Sequence, residues 1–325
     1  MPPKPFSDRV YLAKVALPDF AGICSTDILP ILPGPDLDRK FLCYYLRQQS
    51  VVDYANSRVT GVNLPRLSPS ALSEFPIPLP PLAEQKRIAG ILDAADALRA
   101  KRRESLAQLD TFLQSTFLDL FGDPVTNPKE FDTILLGTLA KRITKGESPK
   151  WQGYEYQTDG MLFVTSENVR LGEIDLTKPK FLSLEFNKKI ARSELKLGDV
   201  LVNLVGASIG RSCIFPGYSK PANVNQAVGV VTLGPRMLSS FLAGLLLTDR
   251  GQKMLLNHRV DAARANISLT DLRNLNVPFP PLPLQHRFAE IVESVERQKT
   301  RLRAHLTELD TLFASLQSRA FRGEL

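Results

Sequence analysis

The 325-residue chain is poor in the side chains that carry metal, redox and covalent chemistry: three cysteines, three histidines and one tryptophan. Cys24, Cys43 and Cys213 are far apart, odd in number and form no C-x-x-C pair, which argues against a disulfide framework and a thiolate zinc site. His258, His286 and His305 are scattered, and no H-E-x-x-H or clustered Cys/His set occurs. There is no Asn-Pro-Pro-aromatic tetrad of an amino-methyltransferase and no glycine-rich dinucleotide loop. GASIGRS at 206–212 falls short of a P-loop, because three residues rather than four separate Gly206 from Gly210 and Arg211 stands in place of lysine. No catalytic residue or metal ligand emerges, and the chain is not expected to be an enzyme by itself. Long apolar runs are missing too. Nothing approaches a membrane span, and the start, MPPKPFSDRV, lacks the apolar core of a secretion signal, so a cytoplasmic protein is expected.

A hydrophobic content of 43% and a charged content of 23% suit a globular protein with a real core. The net charge of +7 permits nucleic acid as a partner without requiring it. Its distribution says more. Residues 123–280 hold 20 Lys+Arg against 15 Asp+Glu, a surplus of five, whereas 1–82, 83–122 and 281–325 come to +1, 0 and +1.

The chain contains a tandem duplication. LSPSALSEFPIPLPPLAEQKRIAGILDAAD at 67–96 aligns with ISLTDLRNLNVPFPPLPLQHRFAEIVESVE at 267–296, at a constant offset of 200. Pro78, Pro80, Pro81, Leu82, Gln85, Arg87, Ala89 and Ile91 recur as Pro278, Pro280, Pro281, Leu282, Gln285, Arg287, Ala289 and Ile291, and Leu106, Leu109 and Asp110 as Leu306, Leu309 and Asp310. In each copy a proline-studded extended segment leads into a long helix, since proline biases its predecessor away from helix yet is harmless at a helix's first position.

Phe288, Val292, Val295, Lys299, Leu302, Leu306, Leu309, Phe313, Leu316 and Ala320 alternate steps of four and three, a heptad seam. The first copy repeats it with a charged middle: Ile88, Leu92, Ala95, Arg99, Arg102, Leu106, Leu109 and Leu113. Helices of roughly 40 residues are about 60 Å long. Residues 123–280 lie between the end of one helix and the start of the other, so a compact domain with neighbouring termini would set the helices antiparallel, with Arg99, Arg102 and Lys299 helping to fix register. The alternative is that each helix packs on its own globular domain.

The expected fold class is α+β: mixed α/β domains joined by two long helices in an antiparallel coiled coil. The segments are a partial first domain at 1–82, a helix at 83–122, a complete second domain at 123–280 and a helix at 281–325. Strands are expected at 161–166, 199–206 and 227–233, and a helix near 239–256. DLDRKFLCYYLRQQS lines up with MLSSFLAGLLLTDRG, but a counterpart of Phe131 would sit at 131 − 200 = −69, so about 70 residues of the first copy are expected to be absent. Residues 1–20 read as weakly structured.

The Pro-Pro-Leu-x-x-Gln-x-Arg-[Ile/Phe]-Ala sequence, present twice, resembles the conserved regions of type I restriction–modification specificity subunits. ITKGESPK (143–150), FVTSENVRLGEIDL (163–176), LKLGDVLVNLVGASIGRSCIF (195–215) and NVNQAV (223–228) look like successive motifs of a target recognition domain of that family, and AGICSTDILPI (21–31) resembles the late part of another. The resemblance implies globular domains that each grip one half of a split double-stranded DNA site, and helices that space them and bind methyltransferase subunits. It implies that a restriction/translocase subunit joins the assembly, and that S-adenosylmethionine, ATP and Mg act on those partners, with no cofactor in this chain. An incomplete first domain further implies a second specificity chain or a homodimer.

Candidate DNA contacts follow from residue type. Lys141, Arg142, Lys145 and Lys150 with Trp151 form a basic stretch with one aromatic, suited to phosphate or simply a solvated loop. Ser208 and Arg211, in a glycine-framed turn, offer donors to phosphate; a plain tight turn reads equally well. Asn223, Asn225 and Gln226 are amides of the kind that pair bidentately with adenine, though structural asparagines are common in turns. Asn168 and Arg170 are further candidates, and Arg264 and Asn266 either read DNA or cap a helix. The competing function is a structural paralogue that binds methyltransferase or specificity chains without reading DNA.

Overall fold

The computed structural model describes residues 14–26, 28–58, 67–256 and 266–325. Arg264 and His258 lie outside these residues. The chain forms two compact units: Met1–Leu106 with Thr300–Leu325, and Ala107–Lys299. Each contains a globular part and a portion of two 40-residue helices, Leu82–Phe121 (α4) and Leu282–Phe321 (α10).

In the first unit, α1 (Arg39–Leu46), α2 (Gln49–Ser57) and α3 (Pro69–Ser73) precede α4. Asp38 caps α1 by accepting from Lys40 N and Phe41 N at 2.9 and 3.0 Å. Phe41 and Tyr44 pack with Ile88, Ala89 and Leu92 of α4 and with Phe313, Leu316 and Ala320 of α10. Arg99 reaches Asp310 at 2.6 Å. Early α4 thus meets late α10, and the two helices run antiparallel. The described residues of 14–34 contain no regular element, and Phe20, Ile23 and Leu32 are exposed.

The second unit carries the reverse half of the same pairing. Phe117 and Phe121 of α4 both pack edge-to-face against Phe288 of α10. Along the seam Ile88, Leu92, Leu113, Phe288 and Val295 are buried, while Leu106, Leu109, Val292, Leu302, Leu306, Leu309 and Phe313 are half-buried. Gly122, at φ +78°, ends α4, with its N–H donating to Leu118 O at 2.7 Å.

Between the helices the chain enters through β1 (Thr133–Leu135) and leaves through β9 (Asn276–Pro278), which pair antiparallel, Thr133 opposite Pro278. After β1 come α5 (Leu136–Leu139), β2 (Ala140–Lys145), β3 (Met161–Val164), β4 (Phe181–Leu182), α6 (Leu184–Lys189), β5 (Val200–Asn203), β6 (Ser212–Ile214), β7 (Ala222–Val224), β8 (Val228–Leu233), α7 (Ser239–Leu247), α8 (Asp249–Leu256) and α9 (Leu269–Arg273). One sheet has the order β2-β8-β5-β6, all antiparallel; the other has the order β4-β3-β7, with β3 and β7 parallel.

Strand alternation divides the core into layers. Val200, Val202 and Val231 face a helical layer with Phe117, Phe241, Leu245 and Phe288. Leu201, Val228 and Val230 face the second sheet's Leu162, Val164 and Val224. Phe163, Leu182, Phe186 and Ile190 close the far side under α6. Strands appear within the three expected segments. The expected helix at 239–256 is instead two, because Thr248 adopts an extended conformation (ψ 148°) and its buried Oγ1 accepts from Gly251 N at 2.9 Å. Threonine caps the second helix rather than continuing the first.

Candidate nucleic-acid interface

The two sheets of the second unit end together. The carboxyl ends of β2, β3, β5 and β7 meet the amino ends of β6 and β8: Lys145 lies opposite Gly229, Asn203 opposite Val228, and Asn225 N donates to Val164 O at 3.0 Å. Gly146 makes the convergence possible. A Cβ there would lie 1.6 Å from Val224 O, so only glycine lets the loop after β2 pass. Four loops therefore cluster at one end, those following Lys145, Val164, Asn203 and Val224, with Asn266 bridged to Val205 beside them.

Several candidates come together there. Lys145, Gln226 and Asn266 are exposed, while Ser208, Arg211 and Asn225 are half-buried. Asn225 Oδ1 accepts from Ala227 N at 3.1 Å, a turn that holds the side chain and leaves its amide N–H groups without a partner among the described residues. Gly206 and Gly210, at φ +81° and +83°, shape the turn that carries Ser208 and Arg211. Lys150 and Trp151 sit in a short helical turn of the loop after β2, and the Trp151 ring is 91% exposed.

The acids near this end are already matched. Glu167 pairs with Lys180 at 2.7 Å, and that hydrogen bond holds its carboxyl below the usual range. Asp175 is held low by the Thr177 hydroxyl and backbone, then by Arg170 at 3.4 Å. Glu147 pairs with Arg192 at 2.7 Å. Lys145, Lys150 and Arg211 have no ion pair among the described residues. Uncompensated positive charge on loops framed by glycine is what a polyanionic backbone requires.

Four candidates are placed elsewhere or otherwise engaged. Lys141 is exposed at the opposite end of β2. Arg142 is committed to the interior: it donates to Arg192 O, Glu194 O and Thr232 Oγ1, and pairs with the buried Asp199 at 3.0 Å. Asn223 is fully buried, its amide donating to Asn187 Oδ1 and Ile190 O at 3.1 Å each. Asn168 is 7% exposed and ties its own loop, accepting from Thr165 N at 2.8 Å and donating to Asp175 O at 2.8 Å. In this fold Arg142, Asn223 and Asn168 spend their hydrogen bonds holding loops and strands of the second unit together.

Sequence reasoning passed over two residues that order this end. Asn203, in the apolar run DVLVNLVG, is buried with its amide on Ser166 O, Val169 O and Ser208 Oγ. Gln252 of α8 donates to Gly210 O at 3.0 Å and anchors the glycine turn from behind. An amide inside a run of valines and leucines was the available signal for the first.

A family model described as the type I restriction modification DNA specificity domain matches residues 6–109 and 128–309. The chain belongs to this family. It is 29% identical over 303 residues to the type I restriction enzyme EcoBI specificity subunit of Escherichia coli, covering 83% of this chain and 62% of the relative. The MjaVIII specificity subunit of Methanocaldococcus jannaschii is 26% identical, over 80% of this chain and 64% of its own length. The chain therefore spans less than two thirds of the length of these relatives. The fold is shared with the S subunit of a type I system from M. genitalium, with a TM-score of 0.51, 17% identity and coverage of 88% of this chain and 73% of that one. It is shared equally with a type I chain described for complex assembly and conformational transition, with a TM-score of 0.53, 20% identity and coverage of 88% and 71%.

Proposed function

We propose that this chain is a DNA-reading specificity subunit of a type I restriction–modification assembly, directing partner enzymes to a target without performing chemistry itself. The observation that carries this reading is the loop end of the second unit. There Lys145, Lys150 and Arg211 lack ion pairs among the described residues, and a neighbouring loop carries the half-buried amide of Asn225 and the exposed amide of Gln226. Cations of this kind fix position on the phosphates, and amides discriminate base edges. The antiparallel helix pair is the surface for methyltransferase subunits, and through them for the restriction subunit. S-adenosylmethionine, ATP and Mg belong to those partners, and the assembly works in the cytoplasm. Among the described residues no helix is long and apolar enough to cross a membrane.

The test is the binding of the full chain, with its methyltransferase partner, to duplex DNA at several salt concentrations. Affinity should fall steeply with salt as phosphate contacts release counterions. Mapping methylated bases in cells that carry both proteins should give a defined motif. Salt-insensitive binding, or methylation without sequence preference, would overturn the reading and favour a scaffold.

A further inference from the structure

Asn203 holds two of the four loops that bear candidate contacts. It ends β5, is 0% exposed, and closes the base of the 204–211 loop with its backbone: its N–H donates to Arg211 O and its carbonyl accepts from Gly210 N, both at 2.8 Å. Its side chain acts in two directions. Nδ2 donates to Ser208 Oγ at 3.1 Å, inside the glycine turn, and to Ser166 O and Val169 O at 3.0 and 3.3 Å, in the loop that follows β3. Oδ1 is buried with no partner among the described residues. An amide that leaves a buried acceptor unsatisfied costs stability, and an apolar residue of the same size would avoid that cost. The arrangement makes sense where the two donated directions matter more than the core.

Those directions join the turn carrying Ser208 and Arg211 to the loop carrying Arg170 and Leu171, the latter 46% exposed at a hairpin tip whose Gly172 N donates to Ser212 O at 2.8 Å. We infer that Asn203 is a positioning residue for sequence readout: it never touches DNA, but sets the spacing of the two loops so that contacts made from the Arg211 turn and from the Arg170 loop are satisfied together on one duplex. This rests on the DNA-reading function proposed above. Base discrimination needs hydrogen-bond geometry held within a few tenths of an ångström, whereas attraction to phosphate tolerates a loop that moves. Losing the clamp should therefore reduce specificity far more than total affinity.

The experiment uses the full chain assembled with its methyltransferase partner. A randomised duplex pool identifies the preferred sequence for the wild type, and affinity is then measured for that duplex and for mixed-sequence DNA at two salt concentrations. Asn203→Asp keeps the shape and removes both donors; Asn203→Leu removes the donors and the orphan acceptor together. In either variant that unfolds cooperatively near the wild-type temperature, the ratio of preferred to mixed-sequence affinity should drop about tenfold or more. Mixed-sequence affinity and its salt slope should stay within about twofold. An unchanged ratio overturns the proposal. So does a parallel loss of both affinities, or the failure of both variants to fold, each of which would make Asn203 a residue of the core alone. Absence of any DNA binding by the wild type would instead defeat the functional reading on which this rests.

Discussion

Lys299 and Asp110 face each other across the helix pair at 2.6 Å, and Arg99 and Asp310 do so at the same distance. The two pairs are one interaction seen twice, because 299 and 310 are the positions 99 and 110 advanced by the repeat of 200. Lys299 is nearly enclosed, with a side chain 6% exposed, and donates a second bond to Glu296 at 2.8 Å. Arg99 is braced by Asp96 at 2.8 Å and lies 4.3 Å from the centre of the Phe313 ring. Arg102, the third polar residue of the seam, has its Nε buried without a partner among the described residues.

Asp110→Lys should place two ammonium groups in apposition and cost about 1.5–3 kcal/mol, the range for a lost hydrogen bond between charged groups. The double variant Asp110→Lys with Lys299→Asp should recover most of that. Thermal unfolding of the four proteins of this cycle measures the coupling, and simple additivity would deny the pair a role in register.

The matched glutamines fasten each long helix to its globular part. Gln85 Oε1 accepts from Asp38 N at 2.8 Å, and Gln285 Oε1 accepts from Leu238 N at 2.9 Å; each donates back to a proline carbonyl, Pro80 or Pro280, at 2.8 Å. Both are completely buried. Gln285→Ala should destabilise the second unit by about 1–3 kcal/mol through unsatisfied buried groups. Gln85→Ala should do the same in the first, and hydrogen exchange at Leu238 and Asp38 would report each loss locally.

Gly244 marks where the repeats have diverged. A Cβ there would lie 2.6 Å from Phe288 Cε1 and 2.8 Å from Phe117 Cδ2, so Gly244→Ala should cost about 1–3 kcal/mol by overpacking. The corresponding Tyr44 packs on Phe313 and gives its hydroxyl to Asp93 at 2.7 Å. A neutral result at Gly244 would mean that the phenylalanine cluster can move apart.

Asp93 should make the first unit sensitive to acid. Burial acts to raise its carboxyl pKa, but hydrogen bonds from Lys40 and Tyr44 outweigh it and hold the group below the usual aspartate value. A depressed folded-state pKa adds stability above the unfolded value of about 3.9 and loses it as pH falls through the folded one. Protease resistance of α1 should therefore decline below about pH 4 in the wild type, and this decline should be shallower in Asp93→Asn.

Much of this was legible in the sequence because period and offset survive without any knowledge of burial. The seam from Phe288 to Ala320 and its copy from Ile88 could be read directly, and the position of residues 123–280 between them implied antiparallel helices. Side-chain roles were not legible in the same way. Arg142 and Asn223 have the composition of DNA contacts, yet their surroundings turn them inward, and nothing in residue type distinguishes an amide facing solvent from one facing Asn187. Thr248 was hidden by its apolar neighbours, although Thr followed three residues later by a glycine N–H is an ordinary way to start a new helix. The glutamines were visible as a repeated letter; their hydrogen bonds depend on chain turns that only the fold supplies.

Under the proposed DNA-reading function, Arg211 and Asn225 should separate the two kinds of contact. Arg211→Ala should weaken binding to all duplexes alike and flatten the salt dependence by about one ion, whereas Asn225→Ala should relax a single base position by roughly 1–3 kcal/mol. A competition assay over single-base variants of the target measures both. Identical profiles would remove Asn225 from base reading.

The strand pair at the foot of the second unit has a broader consequence. Because Thr133 and Pro278 are partners in one ladder, the chain that departs from one helix returns to the other at the same spot, however long its route. Mutation, insertion or wholesale replacement anywhere along that route leaves the points of attachment where they were. The helices can stay constant in sequence and spacing while the excursion between them changes.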